Sequence, residues 1–271
     1  RDYYASRGLG DVYKRQLMQD EVMPRLKAHF ELRQIVHRTM ITAGLPESML
    51  AKAIETWENA LPPYLKLAYL PNPGAVRLRL SAYEVEGESV SKEIERQFEA
   101  LRRIIPHNII GYETATMQEL IHKLLTERRQ TLATAESCTG GTIAARFTAM
   151  PGASAYFLCG VVSYSNASKQ AVLGVDPDTI ARYGAVSEQV ARQMAEGARR
   201  ISGADYAVST TGIAGPAGST AEKPVGTVWI AVAGPRRTVA LLKQCGSDRG
   251  QIIDRAGAFA LGLLRDELNG K

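Results

Sequence analysis

Three short segments of this chain place hydroxyl, phenol and amine groups where chemistry is easily built. The first is Thr134-Ala135-Glu136-Ser137-Cys138-Thr139-Gly140-Gly141, set where a buried strand ends and a helix begins. Two glycines and small hydroxyl residues there let the backbone approach a ligand, and the helix N-terminus favours an anion. The segment reads as a nucleophile and oxyanion loop in one, or as a glycine turn in which Ser137 or Thr139 merely caps the helix. The second is Val162-Ser163-Tyr164-Ser165-Asn166-Ala167-Ser168-Lys169, again at a strand end. If Asn166 caps the following helix, Lys169 lies in its first turn, where a cation opposes the helix dipole. A surface lysine beside a core tyrosine is the ordinary reading of that pattern; a lysine held there for use as a base is the other.

Histidine bears on that choice. His29, His37, His107 and His122 all precede Thr131, so the later part of the chain supplies no imidazole base. A lysine base must lose its proton well below its reference value of about 10.4, and desolvation near a positive helix end pushes in that direction. Lys169 is then the candidate to deprotonate Ser137, with Tyr164 relaying or stabilising the transfer. Cys138 adjoins the serine and is intrinsically the stronger nucleophile, so a thiol route also stands.

The third segment, Ser209-Thr210-Thr211-Gly212-Ile213-Ala214-Gly215-Pro216-Ala217-Gly218, is followed by Glu222-Lys223-Pro224-Val225-Gly226-Thr227. It matches neither a Walker A loop nor a dinucleotide GxGxxG. Its amides, its hydroxyls and Lys223 suit a phosphate or ribose cradle. Arg249, after Asp248, and Arg255 are further candidate anion contacts.

The elements that must carry these segments are legible from periodicity. An amphipathic segment spans about 17–30, with Met23, Leu26 and Phe30 on one face. A period-two run through Leu32, Gln34, Val36, Arg38 and Met40 predicts a strand, and Leu50, Ile54 and Trp57 give the inward face of a helix after Pro46. Stretches 67–70 and 76–83 form a hairpin across Pro71-Asn72-Pro73-Gly74. Val90, Ile94, Phe98 and Leu101 mark a second helix, and 109–112 closes a βαββαβ unit. Near Thr114 a new domain begins, because Thr116 and Glu119 form a capping box ahead of an apolar helix face. Strands are expected at 132–136, 157–165, 206–212, 226–233 and 238–245, and helices at 141–150, 187–201 and 249–268. Helices interleaved with strands, then a run of strands before a closing helix, indicate a three-layer α/β/α sandwich on a mixed sheet. The expected division is 1–16 as an extraneous end, 17–113 as a small α+β domain and 114–271 as the sandwich.

Composition narrows the function classes. The chain has 271 residues, 45% hydrophobic and 23% charged, with net charge +5. Its basic residues are dispersed among acidic neighbours, which disfavours nucleic acid as a partner. No apolar run of about 18 residues is present, so no membrane partner is expected, and a cytoplasmic location fits. Three cysteines without CxxC spacing support neither a disulfide framework nor a zinc knuckle, and the expected chemistry needs no metal or other cofactor.

Taken together and in order, Ala-Glu-Ser-Cys-Thr-Gly-Gly, Tyr-Ser-Asn-Ala-Ser-Lys, Gly-Ala-Val-Ser-Glu, Gly-Ile-Ala-Gly-Pro and Lys-Pro-Val-Gly-Thr-Val resemble the C-terminal domain of the CinA competence/damage-inducible family. That domain also exists as a stand-alone nicotinamide-nucleotide amidohydrolase. The resemblance runs from Met117 to Leu268 and puts the family's serine, tyrosine and lysine on Ser137, Tyr164 and Lys169. Residues 17–112 resemble the family's KH-like middle domain, notably through Leu67 to Leu80, although no GxxG loop of the nucleic-acid-clamping kind occurs there. Longer members carry a further N-terminal domain resembling molybdopterin-binding proteins; it has no counterpart in this sequence, and its activity is not carried over.

The resemblance implies hydrolysis of nicotinamide mononucleotide to nicotinic acid mononucleotide and ammonia. Substrate would be held by Cys138, Thr139, Gly140, Gly141, Gly212, Ile213, Ala214, Gly215, Lys223 and Arg249, with the amides near Cys138 to Gly141 receiving the oxyanion. The rival expectations are a nucleotide-binding module without turnover and a nucleic-acid-associated competence protein. Homo-oligomerisation is left open.

Overall fold

The computed structural model describes residues 16–29, 35–72, 75–83, 87–113 and 116–270. The expectations for 1–15, Phe30, Leu32, Gln34, Pro73, Gly74 and Thr114 fall outside those residues. A π-helical turn at Met18–Val22 leads into α1 (Met23–His29). Met23 and Leu26, on the expected apolar face, are exposed.

The first sheet contains β1 (Ile35–Ala43), β2 (Leu65–Asn72), β3 (Ala75–Tyr83) and β4 (Ile109–Tyr112), in the order β2-β3-β1-β4 with every pair antiparallel. Asn72 pairs with Ala75 at the end of the β2–β3 ladder. Helices α2 (Glu47–Asn59) and α3 (Gly87–Ile104) cover one face. Leu50, Ile54 and Trp57 from α2 and Val90, Ile94, Phe98 and Leu101 from α3 form its core with Leu78 and Leu80. The 3.6-residue spacing of those side chains is what makes both segments helices that bury one stripe. Ile41, Ala43 and Ile110 pack instead toward Met117 and Leu120, which joins this KH-like unit to the next helix.

The chain enters that helix, α4 (Met117–Arg128), through the Thr116–Glu119 capping box, with Thr116 Oγ1 accepting from the Glu119 amide. The second sheet has strands β5 (Leu132–Glu136), β6 (Phe157–Val162), β7 (Tyr206–Gly212), β8 (Thr227–Ala233) and β9 (Thr238–Gln244). Their order is β6-β5-β7-β8-β9. β5 runs parallel to β6 and β7, whereas β8 is antiparallel to both its neighbours, so the sheet is mixed. Helices α4, α5 (Thr142–Thr148) and α9 (Arg249–Leu268) lie on one face, around Ile143, Phe147, Ile252 and Leu264. Helices α6 (Asn166–Leu173), α7 (Pro177–Tyr183) and α8 (Glu188–Ser202) cover the other, around Leu173, Ile180, Val190 and Met194. Covered on both sides, β5 is buried at every residue, as a central parallel strand requires. This is a three-layer α/β/α sandwich preceded by an α+β unit.

Three local expectations are corrected. Helix α7 is absent from the periodicity reading, although Asp176 caps it and Pro177 opens it; only Ile180 is buried along it, too little to show as a period. The cap of α6 is Ser165, in a capping box with Ser168, so Asn166 is already helical. β6 ends at Val162, which frees 163–165 to turn across the top of the sheet.

Candidate active site

Ser137 follows β5 directly, at the C-terminal edge of the parallel strands, where open α/β sheets place their ligands. Its amide donates to the Thr210 carbonyl at 3.0 Å, and Thr139 Oγ1 lies 2.7 Å from Thr210 Oγ1. The turn after Ser137 is therefore pinned to the end of β7. Gly140 and Gly141, at φ +62° and +97°, supply the left-handed backbone that reverses the chain into α5.

Lys169 reaches Ser137 from the first turn of α6. Its Nζ lies 3.1 Å from Ser137 Oγ, 2.8 Å from the Ser163 carbonyl oxygen and 3.2 Å from the Tyr164 carbonyl oxygen. The side chain is 1% exposed, and among the described residues no carboxylate pairs with it. Burial lowers its pKa from the ordinary 10.5, with the nearby Cys138 acting in the opposite direction. The ammonium can donate to all three oxygens, and a neutral amine keeps two N–H groups on the carbonyls with its lone pair toward the Ser137 hydroxyl.

The phenol of Tyr164 is placed elsewhere. The residue is 62% exposed, and its hydroxyl oxygen accepts from Arg249 Nη2 at 3.1 Å. What Tyr164 gives Lys169 is its carbonyl, not the expected phenolic relay. Arg249 also donates from Nη1 to the Gly215 carbonyl at 2.8 Å, so the second and third segments meet at the start of α9. Asp248 caps that helix by accepting from the Gln251 amide.

The thiol is also placed, and it is unfavourable as a nucleophile. Cys138 is buried beside Cys245 in the core, and burial pushes its pKa up to about 12. The thiolate needed for attack is then scarce at neutral pH.

The remaining expected contacts divide. Thr139 is engaged with Thr210. The Gly140 amide donates to the Ser137 carbonyl at 3.1 Å and the Gly141 amide to Glu136 Oε2 at 3.0 Å, so neither faces a ligand. Among the described residues the amides of Cys138 and Thr139 donate to no other residue. The anion expected at the α5 N-terminus is the chain's own Glu136, fully buried. Ile213 and Ala214 are buried in the loop, with the Ile213 amide on the Thr227 carbonyl. Gly212 closes β7, where a Cβ would come within 2.8 Å of the Thr227 carbonyl oxygen. Lys223 Nζ donates to the Tyr183 carbonyl at 2.8 Å. Arg255 Nη1 donates to the Cys245 carbonyl at 3.3 Å and supports a turn. Thr210 and Glu136 are the residues that sequence reasoning missed; a carboxylate just ahead of a helix N-terminus was the available signal.

Comparison with known proteins bears on this geometry. Residues 114–268 match the family described as CinA C-terminal domain, and residues 37–111 match the damage-inducible protein CinA KH domain. The chain belongs to the CinA family. A curated CinA-like protein of Flavobacterium psychrophilum is 44% identical over 93% of this chain and 60% of its own length. Another, of Chlorobaculum tepidum, is 47% identical over 73% of this chain and 47% of its own length. The chain thus spans about 60% or less of these two CinA relatives. Among solved structures, the competence/damage inducible protein CihA from Agrobacterium tumefaciens aligns with TM-score 0.55 and 41% identity. It covers 56% of this chain and 93% of that one. A CinA superfamily protein from Escherichia coli aligns with TM-score 0.54 and 32% identity, covering 56% and 88% respectively. No described helix is long and apolar enough to cross a membrane.

Proposed function

We propose that this CinA-family chain is a nicotinamide-nucleotide amidohydrolase acting through a Ser137–Lys169 pair. The observation that carries the reading is the buried Lys169 Nζ, 3.1 Å from Ser137 Oγ and otherwise bonded only to carbonyls. Burial lowers the pKa of this amine and eases its use as a base. The amide substrate comes from the family resemblance carried by the motifs around Ser137, Tyr164 and Lys169.

The Ser137–Lys169 contact supports the following course. Lys169 takes the Ser137 proton as Oγ attacks the carboxamide carbon of nicotinamide mononucleotide. The carbonyl oxygen becomes an oxyanion, and the Cys138 and Thr139 amides are the donors left to receive it. As the C–N bond breaks, the Lys169 ammonium returns its proton to the departing nitrogen and ammonia leaves. Water, deprotonated by the same amine, attacks the acyl carbon; as the ester C–O bond breaks, the Lys169 ammonium returns that proton to Ser137 Oγ and nicotinic acid mononucleotide leaves. Tyr164 holds Lys169 through its carbonyl and steadies Arg249 through its phenol. Glu136 occupies the α5 N-terminus, and Arg249 at the start of α9 is the cation we assign to the phosphate. Ammonia release that disappears with Ser137→Ala tests the reading.

A further inference from the structure

Glu136 takes no part in the proton transfers, yet its carboxylate accepts three hydrogen bonds beside the nucleophile. It is fully buried, and among the described residues no lysine or arginine pairs with it. Three backbone amides hold it instead. Oε2 accepts from Gly141 at 3.0 Å and Ile143 at 3.1 Å, and Oε1 accepts from Ala144 at 2.8 Å. A helix of any length leaves its first amides without intrahelical acceptors. Here Glu136 takes three of them and the Thr139 carbonyl takes the fourth, that of Thr142.

The five residues from Ser137 to Gly141 thus form a loop clamped at both ends by one residue. The backbone of Glu136 fixes the start and its side chain fixes the end. The same residue also reaches the base. Its carbonyl accepts from the Ser163 amide at 2.9 Å, and the Ser163 carbonyl accepts from Lys169 Nζ. Glu136 therefore touches the frames of both reacting groups without touching either group.

We propose that Glu136 is a positioning residue for this site: by gathering the Gly141, Ile143 and Ala144 amides, it holds Ser137 in line with Lys169 and leaves the Cys138 and Thr139 amides open to the oxyanion. The proposal rests on the amidohydrolase reading for its substrate, but not for its test. If Glu136 relaxed, the freed Gly141 and Ile143 amides would compete for the same anion, and the turn would lose its fixed end.

The test is the rate at which Ser137 is phosphonylated by a fluorophosphonate probe, followed by intact mass on the full chain, with Ser137→Ala as the blank. Glu136→Gln keeps the shape but replaces one acceptor oxygen with a donor, so it cannot satisfy all three amides. At a temperature where circular dichroism shows variant and wild type equally folded, labelling is expected to fall about 100-fold, the scale of a small misplacement of reacting groups. Ammonia release from nicotinamide mononucleotide should fall by a similar factor in kcat with KM little changed.

Glu136→Asp keeps the charge near the helix end but is one methylene shorter; it covers the case in which the glutamine variant does not fold, and it too should label slowly. A capping role alone would lower the melting temperature and leave labelling per folded molecule at the wild-type rate, and that result overturns the proposal. A wild-type chain labelled at Ser137 that releases no ammonia would refute the substrate reading while a slow Glu136→Gln variant still upheld the positioning role.

Discussion

Arg249 Nη2 donates to the phenol oxygen of Tyr164 at 3.1 Å, while the Tyr164 carbonyl accepts from Lys169. One residue therefore links the base to the N-terminus of α9 through two different groups. Tyr164→Phe removes only the phenol link. It is expected to lower kcat less than about tenfold, the scale of one ordinary hydrogen bond, and to raise KM by loosening Arg249. Steady-state kinetics of the variant checks this; a collapse of kcat by hundreds would show that the phenol carries the proton.

The buried amine sets the pH dependence. Its pKa lies below the ordinary 10.5 because burial penalises the ammonium, and the neutral form is the base. kcat/KM should therefore rise with pH through a limb that lies below 10.5. The linkage has the same sign: between the folded pKa and 10.5 the unfolded chain binds more protons, so this lysine's contribution to stability increases as pH rises across that window. A pH profile whose only rising limb sits at or above 10.5 would exclude Lys169 as the base.

Cys138 is the control for the nucleophile. With its thiol pushed up to about 12, iodoacetamide at neutral pH should modify it slowly in the folded chain. Cys138→Ala should keep turnover within a few-fold, roughly the scale of 1 kcal/mol. Loss of activity in Cys138→Ala, with Ser137→Ala active, would reverse the assignment.

Gly197 ties the packing to the base. A Cβ there would sit 2.0 Å from the Leu173 carbonyl oxygen, at the far end of the helix that bears Lys169. Gly197→Ala must push α6 away from α8. It should cost about 1–3 kcal/mol of stability and lower kcat beyond what the folded fraction explains. Chemical denaturation and kcat on the same preparation check both; wild-type kcat would show that the Lys169 position tolerates the shift.

Much of the site was legible in the sequence because it is assembled from strand ends. Ser137 and Lys169 each lie just past a strand whose apolar run is plain, and Thr116 with Glu119 marks the helix that opens the sandwich. What stayed hidden depends on side-chain direction. Lys223 reads as a phosphate contact because it follows a glycine loop, but it turns to the Tyr183 carbonyl. Gly140 and Gly141 read as oxyanion donors, but Glu136 and the Ser137 carbonyl take their amides. The phenol of Tyr164 reads as relaying or stabilising the proton transfer, and the strand-to-helix turn points it to Arg249 instead. Periodicity reports which face is buried; it does not report which of several partners a polar atom selects.

The most direct measurement is ammonia release from nicotinamide mononucleotide by the purified chain, beside Ser137→Ala and Lys169→Ala. The expected result is release by the wild type, none detectable from Ser137→Ala, and a loss of about 10²–10⁴-fold in Lys169→Ala, with substrate-induced thermal stabilisation retained in both variants. A well-folded wild type that binds the nucleotide but releases no ammonia, or a Lys169→Ala variant that turns over normally, would contradict the Ser137–Lys169 mechanism.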